Sequence, residues 1–349
     1  MTASPSGQAE GIVPRMLALF QRRIEGDDAL LRLAQLRFRE AGLGPEYYAE
    51  SPEELAWLLG FRPSPGAPAA VHLPRGIDIF QRSGRQYVVD FVRGFRGEVG
   101  AFILHDQPEA ESRLEDYVSA VHEVDRGLLA ADGGPCLFIE YAAHIGRGAF
   151  VELFRRIRDA RGVSACVDTG HVGLKKAAEH FSERHPGEDL FRLSPDRLGA
   201  VIGQVQEAAA AALPALLGMT RELCAIGKPL HFHLHDGHPL LRSPAGLSDH
   251  FSFLERVPIP CEWMGRRDVD PMYGPSGLRE IAVAALRGLG PGRIVFSLEI
   301  HESAGRLPLG EAAFLFERWT DTTNAERMNH WLRTIVENHA LLREACGAS

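Results

Sequence analysis

The stretch CLFIEYAAHIGRGAFVELFRRIRDARGVSACVDTGH, residues 136–171, decides the fold. CLFIEYA (136–142) and SACVDTGH (164–171) are short, mostly apolar runs of the kind that suit strands buried on both faces. Between them, AFVELFRRIRDARG (149–162) repeats its apolar residues with the helical period near 3.6. Strand, helix and strand in succession form one parallel crossover unit, and such crossovers are right-handed.

The same alternation continues in both directions. AAVHL (69–73), GAFILHD (100–106), LHFHLHD (230–236) and IVFSLEI (294–300) read as further strands, and RLEDYVSAVHEVDRGLLAA (113–131) as another crossover helix. Six units are visible, and two more close an α/β (β/α)8 TIM-type barrel. The missing pair belongs before residue 69, where GIVPRML (11–17) and RLAQLRF (32–38) are the available candidates. The region from Arg15 to Gly60 is otherwise rich in Leu, Ala, Arg and Glu and reads as two or three helices, one opening with Ser51 as N-cap. The expected organisation is a helical N-terminal segment (1–66), a metal-binding barrel core (67–320) and a closing amphipathic helix (321–349), together one structural domain with a barrel atypical at its first strands. Two insertions, 172–229 and 238–277, interrupt the core, and long loops of this kind are usually functional or disordered.

At 349 residues, 45% hydrophobic and 24% charged, the chain is long enough for one large core. No apolar run approaches the roughly 20 residues that span a bilayer, and the N-terminus lacks a secretory pattern, so the expectation is a cytoplasmic protein without membrane segments. Five scattered cysteines without a CxxC pair argue against a disulfide framework and a thiolate zinc site. The net charge of -8 provides no basic stripe for a polyanion, which points to a small-molecule substrate rather than nucleic acid. Nothing in the sequence sets an oligomeric state.

Every visible strand ends in a residue able to bind a metal: His72, His105, Glu140, Asp168 with His171 three residues on, His233 with His235 and Asp236, and Glu299. Parallel barrel strands bring such ends to one face, where barrel enzymes place their sites. His231, His233 and His235 alternate, so on a strand their rings share a face about 6.6 Å apart. Three carboxylates gathered there repel by roughly 4 kcal/mol per pair at about 4 Å and an effective dielectric of 20. With few lysines near those strand ends, either the carboxyls take up protons or metal ions compensate them; the surrounding neutral imidazoles favour metal, and a nitrogen and oxygen set suits zinc, manganese or iron.

These residues carry a resemblance. VSACVDTGHVG (163–173), FHLHDG (232–237), LFIEYAA (137–143) and FSLEI (296–300) resemble motifs of the xylose-isomerase-like barrel superfamily, which contains endonuclease IV and many sugar isomerases and epimerases. The similar stretches cover roughly residues 69–300. The resemblance implies that Asp168, His171, His233, Glu140 and Glu299 are metal ligands, with His72 and His105 as further imidazoles and Glu140, Glu299 and His171 as catalytic groups. The family's Asp-x-His before a glycine-rich turn has no direct counterpart; Asp249 and His250, or Asp268 and Asp270, stand in its place, which adds His250 and Asp268 as candidate ligands. His231 is expected one layer deeper and His235 at the rim.

Three activities fit these expectations: a hydrolase of endonuclease IV type with more than one ion acting on a phosphorylated or sugar-like substrate, a sugar isomerase or epimerase with one ion, and a multinuclear iron oxidase. His72 and His105 favour more than one ion, because a mononuclear isomerase does not require them. A non-enzymatic metal-binding scaffold is the remaining reading.

Overall fold

The computed structural model describes residues 15–19, 28–62, 69–128, 136–242, 250–300, 307–308 and 324–347. Its strands are β1 (Arg15–Leu19), β2 (Gly44–Tyr48), β3 (Ala70–His72), β4 (Ala101–His105), β5 (Leu137–Glu140), β6 (Val163–Asp168), β7 (Leu230–Leu234), β8 (Leu241–Arg242), β9 (Val257–Trp263), β10 (Arg266–Val269), β11 (Ile294–Leu298) and β12 (Leu307–Pro308). Strands β1 to β7 and β11 pair in parallel, each with its neighbour, and β11 pairs with β1 to close the barrel. The chain is a (β/α)8 barrel.

The helices are α1 (Asp28–Glu40), α2 (Pro52–Leu59), α3 (Arg82–Phe95), α4 (Leu114–Leu128), α5 (Arg147–Arg156), α6 (Thr169–Arg184), α7 (Pro195–Ala210), α8 (Ala212–Ile226), α9 (Gly274–Leu289) and α10 (Asn324–Ala345). Helix α2 starts where the sequence places it: the Ser51 hydroxyl accepts from the Glu54 N–H at 3.2 Å, and Pro52 occupies the first turn. Helix α10 packs on α1, α9 and β11, and its buried Trp331 donates to the Ile300 carbonyl at 3.0 Å.

Two expectations about the N-terminal region are corrected. Residues 1–66 are not a helical segment laid on a finished barrel, because β1 and β2 supply two of its strands and α1 and α2 are the crossovers beside them. GIVPRML overlaps β1, whereas RLAQLRF lies inside α1 and the second strand is GPEYY. RLAQLRF is helical because Leu31, Ala34, Gln35 and Phe38 fall on one buried face. A third correction concerns apolar length. Asp196–Ile226 meets the length and composition of a membrane-crossing helix, yet it forms two helices, α7 and α8, that pack on α6, with α8 also against α9.

Strand alternation divides the core. Outward residues such as Tyr47, Val71, Phe102, Ile139, Val167, Phe232 and Phe296 join the apolar layer under the helices. Inward residues of the opposite parity form an apolar floor of Ala70, Ala101, Ile103, Phe138 and Cys166, with Val295 against it. Continuing that inward parity toward the C-terminal strand ends gives His72, His105, Glu140, Asp168, His233 and Glu299. The fold therefore turns the polar strand ends into the barrel.

Candidate metal centre

Pairing fixes the heights of these groups. His105 stands opposite Glu140, Asp168 opposite His233, and Tyr48 opposite His72, while His231 lies one step lower, opposite Cys166. His72, Glu140, Asp168, His233 and Glu299 are at most 1% exposed. His105 is more open, with 16% of its side chain exposed.

Glu140 is central. Its Oε2 lies 3.3 Å from His105 Nε2, 3.5 Å from His233 Nδ1 and 3.6 Å from His72 Nδ1, and its Oε1 lies 3.7 Å from His171 Nδ1. Glu299 accepts from the Tyr48 hydroxyl at 2.6 Å and lies 3.0 Å from His233 Nδ1 and 3.2 Å from His250 Nε2. Tyr48 stacks on His72 with ring centroids 4.0 Å apart.

The DTGH turn is built around His235. Asp168 caps α6 by accepting from the His171 N–H at 2.7 Å, and both its oxygens face His235 Nε2, at 2.9 and 3.0 Å. The Thr169 hydroxyl donates to the His235 carbonyl at 2.7 Å and accepts from the His235 N–H at 3.0 Å. Gly170 is required by close approach, since a Cβ there would stand 2.0 Å from His235 Cε1. His235 is thus fully buried and bonded to Asp168, a correction to its expected place at the rim.

Asp236 organises the chain beyond β7. Its carboxylate accepts from the N–H groups of Gly237, Tyr273 and Gly274 at 2.8, 3.2 and 2.6 Å, tying β7 to the start of α9. Its backbone bridges Phe251, which sets His250 beside His235 with rings stacked at 4.2 Å. His250 has φ +24°, an uncommon backbone for a residue with a Cβ. Asn338 on α10 holds the same segment by accepting from the Phe253 N–H at 3.1 Å and donating to Ser252 at 2.9 Å.

Eight of the nine candidate ligands therefore converge: His72, His105, Glu140, Asp168, His171, His233, His250 and Glu299. Asp268 does not. It sits on the β9–β10 hairpin, where Arg256 binds both Asp268 and Asp270. The hairpin turns it toward solvent and a guanidinium. Asp249 lies outside the described residues.

Glu46 was missed. It is wholly buried on β2, with Oε1 2.7 Å from His233 Nε2 and 3.0 Å from His72 Nε2, and Oε2 3.0 Å from His231 Nε2. The available signal was an acid flanked by aromatics in GPEYY, but glycine and proline at its start masked the strand.

Burial pushes the carboxyls of Glu46, Glu140 and Glu299 up, yet neighbouring imidazoles outweigh it and hold all three well below the usual range. Asp168 is held down in the same way by His171 and His235. Burial pushes His171 and His231 down, toward neutral rings. Burial also opposes charge on His233, but Cys166, Glu46 and Glu299 around it prevail and raise it well above the ordinary value.

The residues fit metal ions on an independent observation. Glu46 Oε1, Glu140 Oε2, Glu299 Oε2 and both ring nitrogens of His72, His171 and His233 are buried without a hydrogen-bond partner, although several approach one another closely. Lone pairs that converge without donor geometry are what a cation requires. Ligand atoms within 4.8 Å of one another form the groups His72, His105 and Glu140; Asp168, His235, His250 and Glu299; Glu140, Asp168, His233 and Glu299; and Glu46, His72 and His233. The first two groups share no residue.

No protein-family model and no curated protein matches the chain. Among solved structures, it is similar to the carboxyl transferase domain of Rhizobium etli pyruvate carboxylase with pyruvate and biocytin, at 11% identity and TM-score 0.37, covering 97% of this chain and 49% of that one. It is likewise similar to the complete multifunctional pyruvate carboxylase of Rhizobium etli, at 11% identity and TM-score 0.40, covering 97% of this chain and 28% of that one. The chain thus spans about half the length of the first structure and under a third of the second. The barrel assignment rests on the strand pairing of this chain itself.

Proposed function

We propose that the chain is a divalent-metal-dependent hydrolase of endonuclease IV type, acting on a small phosphorylated or otherwise polar sugar-like substrate with more than one ion. The observation that carries this reading is the pair of non-overlapping ligand groups, His72–His105–Glu140 and Asp168–His235–His250–Glu299, in one barrel mouth. Zinc, manganese or iron suits their nitrogen and oxygen donors. Ions of this kind acidify a bound water and neutralise negative charge developing on a substrate oxygen.

The chain's own groups have distinct parts. Glu140 belongs to the first group with His72 and His105, and it also offers an oxygen within 4.8 Å of ligand atoms of Asp168 and Glu299, so it borders the second. Tyr48, donating to Glu299, fixes that carboxylate's orientation and removes one of its lone pairs from competition. His235 is set by its Nδ1, which lies 3.0 Å from the Asp236 carbonyl, leaving Nε2 to face Asp168. The deep placement of these groups lowers the local dielectric and strengthens each electrostatic contact. His105 and His171, the more accessible rings, border the space a substrate enters.

A sugar isomerase or epimerase is the second reading, favoured by the group Glu140, Asp168, His233 and Glu299, which alone suffices for one ion. The test is a panel of phosphate esters and of aldoses offered to metal-loaded protein. Ester hydrolysis abolished by chelation and by Glu140→Gln supports the hydrolase. Aldose–ketose interconversion without hydrolysis, unaffected by His72→Ala and His105→Ala, replaces it with the isomerase.

A further inference from the structure

Beneath the mouth lies a second layer of polar groups, of which the mouth shares only His233. Cys166 on β6 faces His231 across the β6–β7 pairing, and one ligand atom each from Cys166, His231 and His233 lies within 4.8 Å of the others. All three residues are fully buried. Among the described residues, Cys166 is the one cysteine grouped with imidazoles in this way.

The hydrogen bonding is lopsided. His231 Nε2 is committed to Glu46 Oε2 at 3.0 Å, which fixes the ring proton on that nitrogen. Its Nδ1 then carries a lone pair, and that atom is buried with no partner. The hydroxyl of Ser297, which stands opposite His233 on β11, is also buried and unpaired. A buried polar atom left unsatisfied in an otherwise apolar floor calls for an occupant. A carboxylate on one imidazole nitrogen with the other facing inward is the arrangement by which proteins orient a metal-ligating histidine.

We propose that this layer is a further, deeper transition-metal site with a mixed sulfur and nitrogen donor set: Cys166 Sγ, His231 Nδ1 and a ring nitrogen of His233. Glu46 is its positioning residue, acting through His231. One thiolate with imidazoles selects a borderline-soft divalent ion such as zinc, cobalt or iron(II) over magnesium or calcium. As the ion binds, the Cys166 thiol gives its proton to solvent and the sulfur–metal bond forms without change of oxidation state. The site is independent of the reaction carried out at the mouth and shares only His233 with it. A thiolate site of this kind is assembled from β6 and β7, so no spacing within the sequence reveals it.

The test is chelator-stripped full-length protein reconstituted with Co²⁺, with bound cobalt counted by elemental analysis and the near-ultraviolet thiolate-to-cobalt charge-transfer band recorded. The wild type is expected to show the band. Cys166→Ser is expected to lose it together with one equivalent of cobalt and to keep the remainder. Glu299→Gln is expected to lose mouth ions and keep the band, which separates this site from the mouth reading. Cobalt bound by the wild type without a band, or Cys166→Ser with an unchanged count, overturns the proposal. Should Cys166→Ser not fold, X-ray absorption at the zinc edge of the zinc-loaded wild type decides: sulfur scattering supports the site, and its absence overturns it.

Discussion

Glu299→Gln removes one negative charge from the mouth while keeping the side chain's shape, and its two effects on stability separate according to whether metal is present. In the metal-free protein the changes oppose each other. The substitution weakens the bonds from Tyr48 at 2.6 Å and the close contacts to His233 and His250 at 3.0 and 3.2 Å, at about 1 kcal/mol for each charge-assisted bond made neutral. It also relieves repulsion with Glu140 and Asp168, where each like-charge pair at about 4 Å is worth roughly 4 kcal/mol at an effective dielectric of 20. Relief of the two repulsions outweighs the three weakened contacts, so the metal-free variant is expected to be at least as stable as the wild type. With metal the balance changes. At an ion concentration about 1,000 times Kd the wild type gains about 4.1 kcal/mol, and a ligand loss that weakens affinity about 100-fold leaves the variant about 1.4 kcal/mol under the same conditions. Denaturant titrations of both proteins, with chelator and with Zn²⁺, measure the difference. Metal-induced stabilisation equal in the two proteins would refute the assignment of Glu299 as a ligand.

Three further outcomes rest on particular contacts. His238 is buried against Gln206 at 2.7 Å, and burial holds its pKa down to about 3, far below the unfolded value near 6.5. The unfolded chain therefore binds the proton first, so the neutral ring's contribution is intact above pH 6.5 and is lost as pH falls toward 3. Between pH 6.5 and 4.5 this amounts to about 2.3 kcal/mol, and His238→Asn is expected to flatten that part of the stability profile. Gly170→Ala places a methyl against His235 and is expected to destabilise the fold by about 1–3 kcal/mol and to lower metal content, as read by melting and elemental analysis. Asp268→Asn, which leaves the barrel mouth untouched, is expected to bind as much metal as the wild type; a loss of metal would return Asp268 to the ligand set.

Much of this arrangement was legible because parallel strands buried on both faces leave few explanations for a polar residue at their ends. His72, His105, Glu140, Asp168, His233 and Glu299 stood out on that ground, and strand parity then turned them all into the barrel. The first two strands were not legible for a local reason. RMLAL is made of good helix formers, and GPEYY begins with residues that break strands, so the pairing of β1 with β11 and β2 overrides local preference. Losing β2 also hid Glu46, whose importance depends on three imidazoles distant in sequence. The choice between His250 and Asp268 depended on a bridge from Asp236 to Phe251 and on the pairing of Arg256 with the β9–β10 hairpin, neither of which has a spacing signature. His235 was misplaced because its burial depends on Gly170 and Thr169, which make room for the ring and hold its backbone.

The central claim is that the strand ends form a cage for divalent ions, and the most direct measurement is anaerobic crystallography with anomalous scattering at the manganese, iron and zinc edges. The account predicts at least two ions in the barrel mouth, one contacted by His72, His105 and Glu140 and another by Asp168, His235, His250 and Glu299. A mouth without ions in crystals grown with saturating metal, its carboxylates bonded only to protonated imidazoles, would contradict it.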